Sequence, residues 1–142
     1  MKPISTKTHG ILDYTTGAAM TALPMMIDCS PATTALLESN GALAGAYSVL
    51  TDYELGLVRA LPMPAHLAID AFAGATLLGA AALMTNERPP IRALLAGLGL
   101  FEIAAAFMTE TEPRDNTRRR RSSSNRQRRS PARRSMEAAT AR

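Results

Sequence analysis

One run of 20 residues, Ala65 to Met84, carries a single full charge, Asp70. At about 1.5 Å per residue a helix of that length reaches roughly 30 Å, the hydrocarbon thickness of a bilayer. The run confines the chain to a membrane bundle or an Ala-rich soluble four-helix bundle. A soluble helix normally shows a polar stripe. This one offers only His66, Asp70 and Thr76 over five turns. Three further apolar stretches accompany it, at about 9–27, 35–51 and 92–108. The last is short and contains Glu102, and the second has Glu38 and Asn40 near its start. The breaks between them are Asp28-Cys-Ser-Pro31, Leu61-Pro-Met-Pro64 and Asn86-Glu-Arg-Pro-Pro90. Such short connections make neighbouring helices antiparallel. A cleaved leader over 1–28 fits less well, because His9 and Asp13 interrupt it and no small-x-small site precedes Cys29.

Charge divides the chain at Pro113. Residues 1–113 carry 5 Lys/Arg and 10 Asp/Glu, whereas 114–142 carry 11 Arg and 2 acids. The expected architecture is all-α. A four-helix transmembrane bundle occupies 1–113, and a disordered Arg/Ser-rich cytoplasmic tail occupies 114–142. The tail run from Arg118 to Arg134 has no apolar face with which to fold. Its expected partner is anionic lipid headgroups at the membrane surface. Nucleic acid is the less favoured ligand, since no aromatic residue is interleaved to stack on bases. One cysteine, Cys29, excludes an internal disulfide.

A repeat is legible within the first part. His9-Gly-Ile-Leu-Asp13 followed by Gly17 recurs as His66-Leu-Ala-Ile-Asp70 followed by Gly74, 57 residues on. A weaker echo joins Leu43-Ala-Gly45 to Leu95-Ala-Gly97. The unit is a helix pair used twice, so both copies enter a membrane from the same side, as a parallel repeat. Gly17, Gly45, Gly74 and Gly97 are the expected close-packing positions, because small residues let helices approach in lipid. Lys2, Lys7, Arg59 and the tail arginines lie on one side, Arg88 and Arg92 on the other. The positive-inside rule then puts both termini in the cytoplasm of a multi-pass protein.

In that orientation His9, Asp13, Asp52, Glu54, His66, Asp70 and Glu102 gather in the cytoplasmic half. Residues four apart share a helix face, so each His stands beside its Asp. Structural roles come first for these residues: neutralising helix ends, satisfying backbone donors, or pairing with Arg59. Proton or ion handling is the second reading, since intramembrane ionisable groups are costly. Two His and several acids are also a donor set for one cation such as zinc or iron, although no metal or cofactor is assigned from sequence. No nucleophile–base order, phosphate loop or paired-Cys motif is present. A non-catalytic membrane protein is expected, alone, as a homo-oligomer, or as a partner subunit. The alternatives are an ion- or proton-handling transporter-like protein, and a soluble nucleic-acid-binding protein acting through the tail.

His9-Gly-Ile-Leu-Asp13, Leu50-Thr-Asp-Tyr-Glu-Leu-Gly56 and Pro62-Met-Pro-Ala-His-Leu-Ala-Ile-Asp70 together resemble the SPW-repeat family. The resemblance covers about 8–112. It implies a small bacterial membrane protein with two helix-pair repeats and no established biochemical activity, and it carries over no catalytic residue. The Ser-Pro-Trp signature falls near Leu23-Pro-Met25 and Ala80-Ala-Ala82, where only Pro24 matches.

Overall fold

A computed structural model of the chain describes residues 2–113. The tail, 114–142, lies outside the described residues. Four helices make up the fold: α1 (Thr6–Ala22), α2 (Pro31–Leu50), α3 (Met63–Leu83) and α4 (Pro89–Met108). A 3-10 turn, Leu23–Met25, closes α1. Among the described residues there is no strand, only two isolated bridges.

Each helix begins two to four residues before its apolar stretch. The openings are polar or proline-rich, so hydropathy misses them. The Ser5 hydroxyl accepts from the Thr8 N–H at 3.1 Å, and Ser30 from that of Thr33 at 3.2 Å. Pro31, Pro64, Pro89 and Pro90 lie in first turns, where a missing N–H costs nothing. α1 ends at Ala22 rather than near Ile27, because Pro24 falls in the tighter turn.

α1 packs on α2 and α3 on α4, each as an antiparallel hairpin. A Cβ on Gly17 would lie 3.0 Å from the Gly41 carbonyl oxygen, and one on Gly74 2.6 Å from that of Gly99. Backbone meets backbone at both crossings. Two of the four expected packing glycines are therefore corrected. Gly45 and Gly97 have open space where a Cβ would stand. The buried face of α2 runs through Thr33, Leu37, Gly41, Ala44 and Ser48, and that of α4 through Ile91, Leu95, Gly99 and Glu102. Leu37 matches Leu95, Gly41 matches Gly99 and Thr51 matches Thr109, each 58 residues apart. The echo of Gly45 with Gly97 is out of register with this face.

The hairpins meet through side chains rather than backbone. Met20, Leu37, Leu77 and Leu95, one from each helix, are fully buried between them at the loop end. At the other end the hairpins exchange backbone hydrogen bonds. The Ile4 N–H donates to Met108 O (3.1 Å), and the Glu110 N–H to Ile4 O (2.9 Å). The Leu61 N–H donates to Leu50 O (2.8 Å), and the Asp52 N–H to Leu61 O (2.8 Å). Each segment leading into an odd-numbered helix is thus tied to the end of the other hairpin.

Polar side chains share the interior with the apolar core, and several large apolar ones face outward. His9, His66, Thr6, Thr33, Ser48, Thr51 and Thr109 are fully buried. Phe72 is 76% exposed, Phe107 71% and Leu83 81%. α3 and α4 are long and apolar enough to cross a membrane.

Candidate functional site

Four ionisable side chains, His9 and Asp13 from α1 and His66 and Asp70 from α3, converge in the buried space between the hairpins. One donor atom from each lies within 4.8 Å of all the others. His9 Nε2 is 3.2 Å from His66 Nε2, 2.9 Å from Asp70 Oδ2 and 3.3 Å from Asp13 Oδ1. His66 Nε2 is 3.0 Å from Asp13 Oδ2 and 3.2 Å from Asp70 Oδ2. The i,i+4 spacing stacks each His over its own Asp, and the contacts between α1 and α3 side chains bring the two faces together.

Both rings are oriented from behind by threonine. Thr51 Oγ1 lies 2.7 Å from His66 Nδ1, and Thr109 Oγ1 lies 2.9 Å from His9 Nδ1. Each threonine hydroxyl donates to a carbonyl one turn back on its own helix, Tyr47 O at 2.6 Å and Ala105 O at 2.6 Å. A hydroxyl has one proton, so each Oγ1 can only accept from the imidazole. Both Nδ1 atoms therefore carry hydrogen, and a neutral ring presents its Nε2 lone pair to the centre. Tyr47 donates to Asp70 Oδ1 at 2.5 Å, and Ser48 to Asp13 Oδ2 at 3.3 Å. The Tyr47 and His66 rings meet edge-on, centroids 4.8 Å apart. The Tyr53 ring fills the space over Gly10, where a Cβ would strike it, and leans on His66 at 5.7 Å. Burial of that loop tyrosine raises its phenol pKa above the ordinary value.

Of the seven residues expected to cluster, four converge. Glu102 lines a small cavity of about 20 Å³ that His9, Asp13, Asp70 and Tyr47 also line. Its side chain is nine-tenths buried, and Oε2 has no hydrogen-bond partner among the described residues. Asp52 and Glu54 do not join. Both sit in the loop beyond Thr51, and the Glu54 carboxylate accepts from the Thr6 hydroxyl at 2.7 Å instead. The suggested pairing with Arg59 is also corrected. Arg59 is exposed at a left-handed φ of 54°, and the ion pairs of Asp13 and Asp70 among the described residues are all with histidine.

Sequence reasoning missed Tyr47, Ser48, Thr51 and Thr109. The two threonines had a signal, their 58-residue spacing, which is legible once Leu37/Leu95 and Gly41/Gly99 set the register. Tyr47 and Ser48 have none, because their counterparts, Ala105 and Ala106, are apolar.

A second polar knot lies at the opposite end. Glu87 accepts from the Ser30 N–H at 3.0 Å and from the Thr33 hydroxyl at 2.5 Å, closing the N-terminus of α2 with the α3–α4 loop. The Ser30 and Thr33 hydrogen bonds hold its pKa below the usual carboxylate range. Arg88 reaches the Asp28 carbonyl and lies 3.6 Å from its carboxylate. Arg92 donates to Ala81 O at 2.8 Å, covering a free carbonyl at the end of α3.

No family model, curated protein or solved structure matches the chain.

Proposed function

We propose that this chain is an integral protein of a bacterial inner membrane. In this reading it crosses the bilayer four times with both termini cytoplasmic, and it handles positive charge, as protons or a cation, at the His/Asp centre near the cytoplasmic face. One observation supports this above others: four ionisable side chains and several hydroxyls are buried beside the apolar core while Phe72, Leu83 and Phe107 face outward. In water that distribution exposes large apolar area and buries costly groups. In lipid it satisfies both. α1 and α2 are less apolar than α3 and α4, and they cross as glycine-packed partners.

A structural or partner-subunit role is the first expectation from sequence. The convergence favours ion handling instead. Well-packed apolar residues commonly replace a buried ionic cluster at no loss of stability, so a purely structural bundle gains little by keeping four ionisable groups at one point. No catalytic role is assigned. Five residues, 109–113, separate the last residue of α4 from the basic segment 114–142, which in this reading lies on anionic lipid.

The test is fractionation of cells expressing the full chain. Retention in the membrane pellet through alkaline carbonate, with release by detergent, is the expected result. Recovery in the supernatant without detergent would overturn the membrane reading.

A further inference from the structure

We propose that His9, Asp13, His66 and Asp70 form a tetrahedral site for one divalent first-row transition-metal ion, with Zn²⁺ as its simplest occupant. The proposal rests on the charge-handling reading above and narrows it from positive charge in general to a single metal ion.

The donor spacing supports this. Zinc–nitrogen and zinc–oxygen bonds of about 2.0–2.1 Å at tetrahedral angles put neighbouring donors roughly 3.3 Å apart. Counting both Asp13 oxygens, five of the six pairs among these side chains approach to 2.9–3.3 Å, and one donor atom from each lies within 4.8 Å of all the others. A calcium ion takes six to eight oxygens at longer range, and magnesium prefers an octahedron of oxygens. Two imidazole nitrogens with two carboxylates suit zinc, iron or manganese better.

Tautomer is an independent support. Thr51 and Thr109 hold hydrogen on both Nδ1 atoms. With both rings neutral, two Nε2 lone pairs and two carboxylates then face one point. Such a set is repulsive until something positive enters. One divalent ion neutralises both carboxylates, engages both lone pairs, and leaves the four ligands and the ion with zero net charge. The hydrogen bonds behind the donors are those expected of metal-ligating histidine and carboxylate: Thr–His on each ring, Tyr47 on Asp70 and Ser48 on Asp13. Glu102, buried with an unpartnered Oε2, lines the adjoining cavity and offers a further acceptor beside the centre.

The experiment uses the full chain, purified in detergent without a polyhistidine tag, stripped with chelator and titrated with Zn²⁺ and with Co²⁺. The expected result is one ion per chain, with visible Co²⁺ absorption of tetrahedral intensity. His9→Ala and His66→Ala should each lower affinity at least a hundredfold. Should those variants fail to fold, Thr51→Val keeps all four ligands and should weaken binding about 10–100-fold. A folded, membrane-resident protein that binds neither ion would overturn the metal site and leave the membrane reading standing. Undiminished binding in folded His9→Ala and His66→Ala would overturn the ligand assignment. A detergent-independent protein would overturn the membrane reading, whether or not metal binds.

Discussion

Thr51 and Thr109 act on the centre without touching its middle. Each donates its hydroxyl hydrogen bond to a helix carbonyl, and so obliges a neutral histidine to turn its lone pair inward. Replacing either with valine keeps the shape and removes the acceptor, leaving an Nδ1–H buried and unpaired. That costs about 1–3 kcal/mol. Thr109→Val should therefore lower the unfolding temperature in detergent, while Thr109→Ser, which retains the hydroxyl, should restore most of the loss. Equal behaviour of the two variants would show that the hydroxyl does not orient His9. Glu87 offers a pH test at the far end. Its pKa in the folded protein lies below the ordinary carboxylate value, so its stabilisation is fully present above that ordinary value. It is lost as pH falls through the lower, folded-state value. Glu87→Gln should be less stable near neutrality and should lack that acid-side decline. An unchanged acid limb in the variant would assign the decline to other carboxylates.

The helices differ sharply in what their glycines do. Gly99→Ala places a Cβ 2.5 Å from the Gly74 carbonyl oxygen, an atom of backbone that cannot rotate aside. The α3–α4 crossing must open, at a cost of about 1–3 kcal/mol. Gly97→Ala meets open space and should be neutral or slightly stabilising. Thermal unfolding of the two variants in detergent checks the contrast, and equal loss in both would contradict the close crossing. These glycines also mark what was legible beforehand. The four helices, their breaks and the His-x-x-x-Asp repeat follow from composition and spacing, because apolar length and i,i+4 faces are local properties. Which glycine of α2 or α4 faces its partner depends on the rotation of one helix against another. A three-letter match such as Leu-Ala-Gly carries no information about that rotation. The same holds for Asp52 and Glu54. Sequence puts them at the correct end, but they lie past the end of α2 in the loop beyond Thr51. The seating of Tyr47 on Asp70 breaks the repeat, so no comparison of the two halves could reveal it.

At the scale of the molecule, the proposed topology puts the His/Asp end of the bundle on the cytoplasmic side. A cytoplasm-active reporter fused after Met108, with 109–142 removed, should give signal. Signal only from a periplasm-active reporter would reverse the orientation. A peptide of residues 114–142 should bind anionic vesicles and not neutral ones, and should release at high salt, since its 11 arginines outnumber its 2 acids. Equal binding to both vesicle types would remove the electrostatic account. The centre itself is assembled by exchange between the hairpins. His66 leans on Thr51 of the first, and His9 on Thr109 of the second. Two identical copies of one hairpin, related by a twofold axis, would build the same quartet of ligands and the same crossed threonines. A chain of this kind can therefore descend by duplication from a half-length ancestor that already possessed the centre. Such an ancestor had to carry the same residue at every matched position. Only after fusion could Ala44 and Glu102, or Tyr47 and Ala105, become different. The difference between the two sides of the cavity, one bearing a glutamate and the other a tyrosine, is then younger than the quartet, and whatever sets one approach to the centre apart from the other began with it.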